Sequence, residues 1–277
     1  MGAGRRPRKA PRRTPVLQSG PEVHHGLSRQ SMIWLAAVAI VVGLLIGMVG
    51  VGGVLLIPAL GLLTPLSIQA SMATALFTFV FTGVAATLLF QRRGSIDWSL
   101  TVPLCAGGAV FGFVGAWANS KLDAPVLTVI LAVLIVLAGV YTLFGNAAAR
   151  STAFAGRPRA QRKLLFAVGA VTGFGSGLTG VGGPALSVPM MVMLGFPPLA
   201  TVGASQVVQI LAAASGSAGH LVHGAIDFKL AAMLVVFEVV GVYIGVHLAH
   251  AVNARTLRRG VGLLCIAVGA GLLIGLM

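Results

Sequence analysis

Acidic residues are almost absent from this chain. Five of them, Glu22, Asp97, Asp123, Asp227 and Glu238, stand among 277 residues, and only Glu238 sits deep inside an apolar run. Acids so few and so scattered leave no clustered His/Asp/Glu set and no nucleophile–base pair of the kind an active site needs, so an enzyme is not expected. Cysteine is as scarce. Cys105 and Cys265 both fall inside apolar segments, which excludes a disulfide framework or a cysteine metal cluster and leaves two small buried residues. Charged residues of all kinds make up 9% of the chain against 57% hydrophobic, and mean hydropathy is +0.99. A soluble domain of this length has too little interior to hide that much apolar surface. Lipid must be its solvent, and an all-α polytopic membrane protein is the fold class expected.

The formal charge of +14 is the exception to this poverty. Its lysines and arginines lie in an N-terminal tail and between apolar segments, as topology signals do. They do not form the basic, aromatic-studded face that nucleic acid requires, and no nucleic-acid partner is expected. Residues 1–30, with GRRPRKAPRRTP, cannot bury enough apolar area to fold and read as a disordered basic tail. The run from Met32 to Gly50 is longer than a signal-peptide core, and no cleavage pattern precedes a soluble domain, so it reads as a retained first helix.

Eight apolar segments follow, near 32–63, 66–90, 98–118, 124–145, 164–195, 198–220, 229–250 and 257–276. Six have the length of about 20 residues that a spanning helix needs. The first and fifth are too long: residues 32–63 as one helix would measure about 48 Å, against a hydrocarbon core of about 30 Å. Each carries a glycine cluster near its middle, Gly50-Val51-Gly52-Gly53 and Gly180-Val181-Gly182-Gly183. A broken helix is expected at both, which either continues across the membrane or turns back as a re-entrant hairpin. Charge favours the first geometry. If both segments cross, the tail, Arg92-Arg93, the Arg150–Lys163 stretch and Lys229 share one side, and only Lys121 and the Arg255, Arg258, Arg259 group lie on the other. The expectation is eight spans with both termini cytoplasmic.

Shifted by 130 residues, the sequence matches itself. Gly43, Gly47, Gly50, Val51, Gly52 and Gly53 fall on Gly173, Gly177, Gly180, Val181, Gly182 and Gly183, and Gly94, Ile96 and Asp97 fall on Gly224, Ile226 and Asp227. The chain reads as a duplication, a common plan for transporters: a first repeat over 31–146, a cytoplasmic linker over 147–163 and a second repeat over 164–277. Four spans per half make the repeats parallel; re-entrant segments would make them inverted. Asp97 and Asp227 precede Trp98 and Phe228, where a new helix begins, and suit N-caps.

Unwound backbone at membrane depth must face protein or a water-filled cavity, because its N–H and C=O groups find no partner in lipid. Pro184, directly after Gly183, suits the first turn of a new half-helix. Half-helices starting near 184 and 54 would aim positive ends and free N–H groups at the membrane middle, which is an anion site; close helix packing through small residues is the competing reading. Gly50, Gly52, Gly53, Gly180, Gly182 and Gly183 are therefore candidate substrate-binding positions. Thr74, Thr78 and Thr82 share a helix face in segment two, and Ser205, Gln206 and Gln209 hold related depths in segment six. Thr74, Thr78, Ser205, Gln206 and Gln209 are candidate wall residues, with interhelical hydrogen bonding as their alternative role. Glu238, opposite Gly108 in the repeat, is either a coupling residue or a hydrogen-bond partner for a neighbouring helix. The pairs His220/His223 and His247/His250 lie at opposite ends of the bundle without carboxylate or thiol beside them, so neither a metal nor a cofactor is expected.

At Gly47-Met-Val-Gly50-Val-Gly-Gly53 with Pro58, and at Gly177-Leu-Thr-Gly180-Val-Gly-Gly183 with Pro189, the chain resembles the sulfite exporter (TauE/SafE) family of membrane permeases. The stretches at 73–74 and 203–205 and Gly94-Ser-Ile-Asp97-Trp support the resemblance, which covers about 32–276. It implies an eight-helix permease in the lipid bilayer of the inner (plasma) membrane that moves sulfite, organosulfonates or related small sulfur-containing anions. One departure is Ala75, whose repeat partner is Ser205, so the first half contributes fewer hydroxyls. The leading expectation is an alternating-access anion permease with a central site at the paired breaks. A carrier or channel for another small solute or metal ion, a membrane enzyme, and a membrane protein that docks a partner through its tail are the rivals.

Overall fold

The computed structural model describes residues 29–144, 152–154, 156–223, 226–248, 263 and 266–274. The expected tail over 1–28, the Arg255, Arg258 and Arg259 group, Cys265 and His250 lie outside the described residues. The described elements are helical: α1 (Arg29–Val49), a 3-10 turn (Gly52–Leu55), α2 (Leu56–Leu63), α3 (Ile68–Arg92), α4 (Trp98–Asn119), α5 (Ala124–Phe144), α6 (Pro158–Thr179), α7 (Pro184–Met193), α8 (Pro198–His223) and α9 (Phe228–Leu248). Residues 266–274, in the eighth segment, are helical as well. The first and fifth segments are broken where the glycine clusters stand. Six helices, α1, α3, α4, α5, α8 and α9, have the length and apolarity to cross a membrane, and large apolar side chains such as Trp34, Leu88, Val102, Leu137 and Val240 point outward from them, as lipid-facing positions do. α6 begins at Pro158, inside the stretch read as a linker.

The helices start where local chemistry predicts. Asp97 accepts a hydrogen bond from the Ser99 amide at 2.9 Å, and Asp227 accepts one from the Leu230 amide at 2.9 Å. Each carboxylate thus caps free donors in the first turn of α4 or α9. Pro184 opens α7, where its missing N–H costs nothing.

Helix directions follow from which residues meet. Gly43 lies against the Glu238 carbonyl and Gly47 against that of Val242, so α1 and α9 run parallel. Thr74 meets Asp227 and Arg93 meets Val246, so α3 is parallel to α9 too. Between two parallel helices, α1 and α3, the chain must come back. α2 makes that return: a Cβ on Gly52 would sit 2.7 Å from the Ile46 amide and 2.8 Å from Leu45 Cβ, beside the helix the chain has just left. The second half does the same. Gly169 and Gly177 lie against the carbonyls of Leu104 and Gly112, which makes α6 parallel to α4. Gly112 and Gly219 against Ala212 and Ala116 make α8 parallel to α4. α7 returns between α6 and α8, and its end sits beside the chain preceding α6, with the Ala153 amide donating to the Leu194 carbonyl at 2.9 Å.

Both long segments therefore turn back after their breaks, and the crossing geometry that charge favoured is corrected. Loop charges register which side a loop occupies and carry no information about a helix that stops partway and returns. Gly50 and Gly180 perform the reversal with φ of +80° and +70°, a left-handed geometry that residues with a Cβ rarely adopt. α3 and α8 are antiparallel, since Gly83 meets Ile210 while Leu76 meets Gly216. The repeat is thus inverted, not parallel.

The halves are interlaced. α1 of the first packs on α9 of the second, α6 of the second packs on α4 of the first, and α3 packs on α8 between them. The repeat holds at single positions. Gly43 against Glu238 corresponds to Gly173 against Gly108, and Gly47 against Val242 to Gly177 against Gly112. With no hydrophobic force between helices in lipid, such close backbone approach through small residues supplies the packing.

Re-entry predicts a labelling pattern. In a protein with Cys105 and Cys265 replaced by Ala, Ser31→Cys and Ser67→Cys should react with an impermeant maleimide from the same side, and Ser99→Cys from the opposite side. Labelling of Ser31→Cys and Ser67→Cys from opposite sides would restore the crossing geometry.

Candidate functional site

The two breaks come from hairpins that enter from opposite faces, and they meet at half-height of α3 and α8. A Cβ on Gly53 would lie 2.7 Å from the Val181 carbonyl oxygen and 2.8 Å from the Phe79 ring. One on Gly182 would lie 3.1 Å from the same ring, and one on Gly183 3.3 Å from the Gln209 backbone. Gly50 faces Pro184 and Val188 across the junction, each at 3.3 Å from its Cβ position. Phe79 and Gln209 are repeat partners, so the junction lies on the axis that relates the halves.

Helical hydrogen bonding stops and restarts here. The Gly180 amide donates to the Ser176 carbonyl at 2.8 Å and ends α6. The ladder resumes where the Leu186 and Ser187 amides donate to the Gly183 carbonyl at 3.2 and 3.0 Å. The start of α7 thus points its positive end into the protein at this height.

Of the residues expected as walls, several converge. Gln209 Nε2 donates to the Phe79 carbonyl and to Thr82 Oγ1, both at 3.0 Å. Gln206 Nε2 donates to the Ile46 carbonyl at 3.4 Å and lies 3.9 Å from the Gly50 Cβ position, so this side chain bridges the halves at the first break. Ser205 stands one contact further out: its hydroxyl donates to the Thr201 carbonyl at 2.7 Å and accepts from Ser187 at 2.8 Å. Ser187 is itself 3.0 Å from the Gly183 carbonyl. Thr78 turns the other way, towards α9, where its hydroxyl is 2.8 Å from the Ala75 carbonyl and 3.2 Å from Glu238 Oε1. Thr74 stands apart from the breaks and accepts from the Asp227 amide at 3.1 Å.

Glu238 is fully buried. Thr78 holds one carboxyl oxygen, and the other has no hydrogen-bond partner among the described residues. The titratable side chains on the helices packed against it are Arg29, Arg92 and Arg93, all at helix ends. His220 Nε2 lies 3.0 Å from the Gly177 carbonyl and His247 Nδ1 2.8 Å from that of Tyr243, at opposite ends of the bundle. No group of three or more His, Cys, Asp or Glu comes together among the described residues. A pocket of about 330 Å³ between Gly94–Asp97 and Pro197–Ala200 lies at the far end of α3 from the junction.

Three polar residues escaped the sequence reading. Thr172, Ser176 and Ser187 are completely buried, and the Thr172 methyl carbon lies 3.6 Å from the Gly183 Cβ position. The hydroxyls of Thr172 and Ser176 and the amide oxygen of Gln206 have no hydrogen-bond partner among the described residues. A buried polar atom left unpaired costs about 1–3 kcal/mol, so three near one junction are a recognisable signal. Comparing the repeats position by position would have shown it, since Thr172 and Ser176 replace Val42 and Ile46.

The chain is similar to known membrane transporters. The family profile described as sulfite exporter TauE/SafE matches residues 35–272. Among curated relatives, the probable membrane transporter protein YunE of Bacillus subtilis is 26% identical over 246 residues, covering 79% of this chain and 88% of the relative. The probable membrane transporter protein YdhB of the same organism is 26% identical over 216 residues, covering 75% and 86%. No solved structure matches.

Gln209 ties α8 to α3 through two hydrogen bonds at the junction. Gln209→Leu should destabilise the protein by about 1–3 kcal/mol, read as a lowered unfolding midpoint in detergent. An unchanged midpoint would mean that these bonds contribute nothing net.

Proposed function

The chain belongs to the sulfite exporter TauE/SafE family, a family of membrane permeases, and on that premise we propose that it carries sulfite, an organosulfonate or a related small sulfur-containing anion across the plasma membrane by alternating access around the paired breaks. The observation that carries this reading is the meeting of two oppositely inserted hairpins at half-height, Gly53 against Val181 and Gly182 against Phe79. Inverted repeats with interrupted helices at the midplane place a substrate where each hairpin tip closes the path from one side. Rocking of one hairpin against the other then exposes the same site alternately. The donors at this height are hydroxyls, amides and a helix start, with no lysine or arginine among the described residues, so binding is weak enough to release an anion on either side.

Glu238 is the proposed coupling residue. It is an acid at the height of the breaks, it belongs to one half only, and it sits against Gly43 of the first hairpin, where a change in hairpin position alters its surroundings. A buried carboxyl that gains and loses a proton as access alternates would link anion movement to a pH gradient.

The connectivity also alters the orientation argument. Arg29 at the start of α1, Lys121 and Lys229 lie on one side, and Arg92, Arg93, Arg157, Arg159 and Arg162 on the other, so opposing charge groups compete for the cytoplasmic face. The cysteine labelling described above, performed on intact cells, decides whether the termini are cytoplasmic.

Proteoliposomes holding the purified protein should show saturable uptake of radiolabelled sulfite or a sulfonate. Gly53→Leu and Gly183→Leu should each reduce it at least about tenfold, because a side chain at 53 meets the Val181 carbonyl and the Phe79 ring and one at 183 meets the Gln209 backbone and Thr172. Flux of no sulfur anion, or flux indifferent to both changes in folded protein, would remove the anion site from the breaks. Glu238→Gln keeps an acceptor for Thr78 but cannot release a proton. It should retain exchange of labelled for unlabelled substrate and lose accumulation driven by a pH gradient; undiminished accumulation would exclude the coupling role.

A further inference from the structure

The two breaks match in backbone and differ in lining. Five buried positions around the first, Val42, Ile46, Ile57, Ala75 and Phe79, are apolar. Their repeat partners around the second are Thr172, Ser176, Ser187, Ser205 and Gln209, every one polar and equally buried, while Gln206 reaches across to Gly50. A duplication needs no such difference, and burial makes it costly: each polar group taken from water requires a partner. Part of that requirement is met internally, by the bonds of Ser187 to Ser205 and of Gln209 to Phe79 and Thr82. The hydroxyls of Thr172 and Ser176 have no hydrogen-bond partner among the described residues. They lie on one face of α6 at i and i+4, and Thr172 packs on Gly183 at the start of α7.

We propose that the anion occupies one asymmetric seat at the second break, held by the hydroxyls of Thr172 and Ser176 and the start of α7, and that the first break is an apolar plug closed by the Phe79 ring. This deepens the anion-permease reading and rests on it. Two unpaired O–H donors beside the positive end of a helix are a neutral oxyanion cradle: both hydroxyls donate, and the bound oxygens supply the acceptors they lack. The plug works by the opposite chemistry. Phe79 fills the space against Gly53 and Gly182, so a hydrated anion cannot pass the first break until the ring moves. One seat and one plug also explain why the site tolerates a single acid, Glu238, on the first-break side. Its backbone packs on Gly43 of the first hairpin and its carboxyl meets Thr78.

The test uses near-isosteric exchanges across the repeat in full-length protein. Radiolabelled sulfite binding to purified protein in detergent is measured for wild type, Thr172→Val, Ser176→Ala and the mirror change Val42→Thr. Thr172→Val and Ser176→Ala should each weaken binding about tenfold, the loss expected for one hydrogen bond to a charged ligand, and Val42→Thr should leave it unchanged. Unchanged binding in Ser176→Ala and in folded Thr172→Val would overturn the seat and leave the anion reading standing. Tighter binding in Val42→Thr would overturn the asymmetry, since it would place ligand at the first break as well. Wild type that binds neither sulfite nor a sulfonate would overturn the anion reading and the seat together.

Discussion

A backbone that leaves its helix inside a membrane must be surrounded by protein, and the rest of this structure is arranged around that requirement. Two such departures occur among the described residues, at Gly50–Gly53 and Gly180–Gly183. Each is covered by the other and by α3 and α8, the two helices on the axis of the repeat. The halves interlace because neither hairpin can shield its own break: α1 leans on α9 of the opposite half, and α6 on α4. The glycines along these crossings let the backbones approach until a carbonyl of one helix fills the space a Cβ would take on the other.

The requirement that stabilises the fold also localises chemistry. An unwound segment enclosed by protein brings backbone dipoles to the bilayer centre without placing a charged side chain there. Helix ends and hydroxyls can then meet an anion weakly, which suits a permease: a fixed arginine at this depth would hold its ligand too long to turn over. The same enclosure supplies the moving parts of the alternating mechanism we propose. Two hairpins from opposite faces share one contact, and displacement of either opens a path to its own side. In the proposed seat and plug, the polar side chains of one break hold and the Phe79 ring at the other closes.

Hydropathy, segment lengths and the 130-residue repeat determined the helical membrane fold, the helix breaks and the existence of a paired centre. These are properties of short stretches of chain: a run of apolar residues must meet lipid, a glycine cluster must interrupt a helix, and Asp before an aromatic must cap one. Candidate residues near the breaks, Gln206 and Gln209 above all, were legible because depth along a helix is linear in residue number. Thr74 was not, because a helix face points somewhere only once its neighbours are placed; it bonds to the Asp227 amide at the α8–α9 turn. What tertiary structure alone decided was direction. Whether the chain continues or returns after Gly50 depends on Gly52 finding room beside Val42 and Ile46, a contact between segments that no local pattern encodes. That one choice inverts the repeat and brings the two breaks face to face, so that the polar-for-apolar differences between the halves meet at one junction.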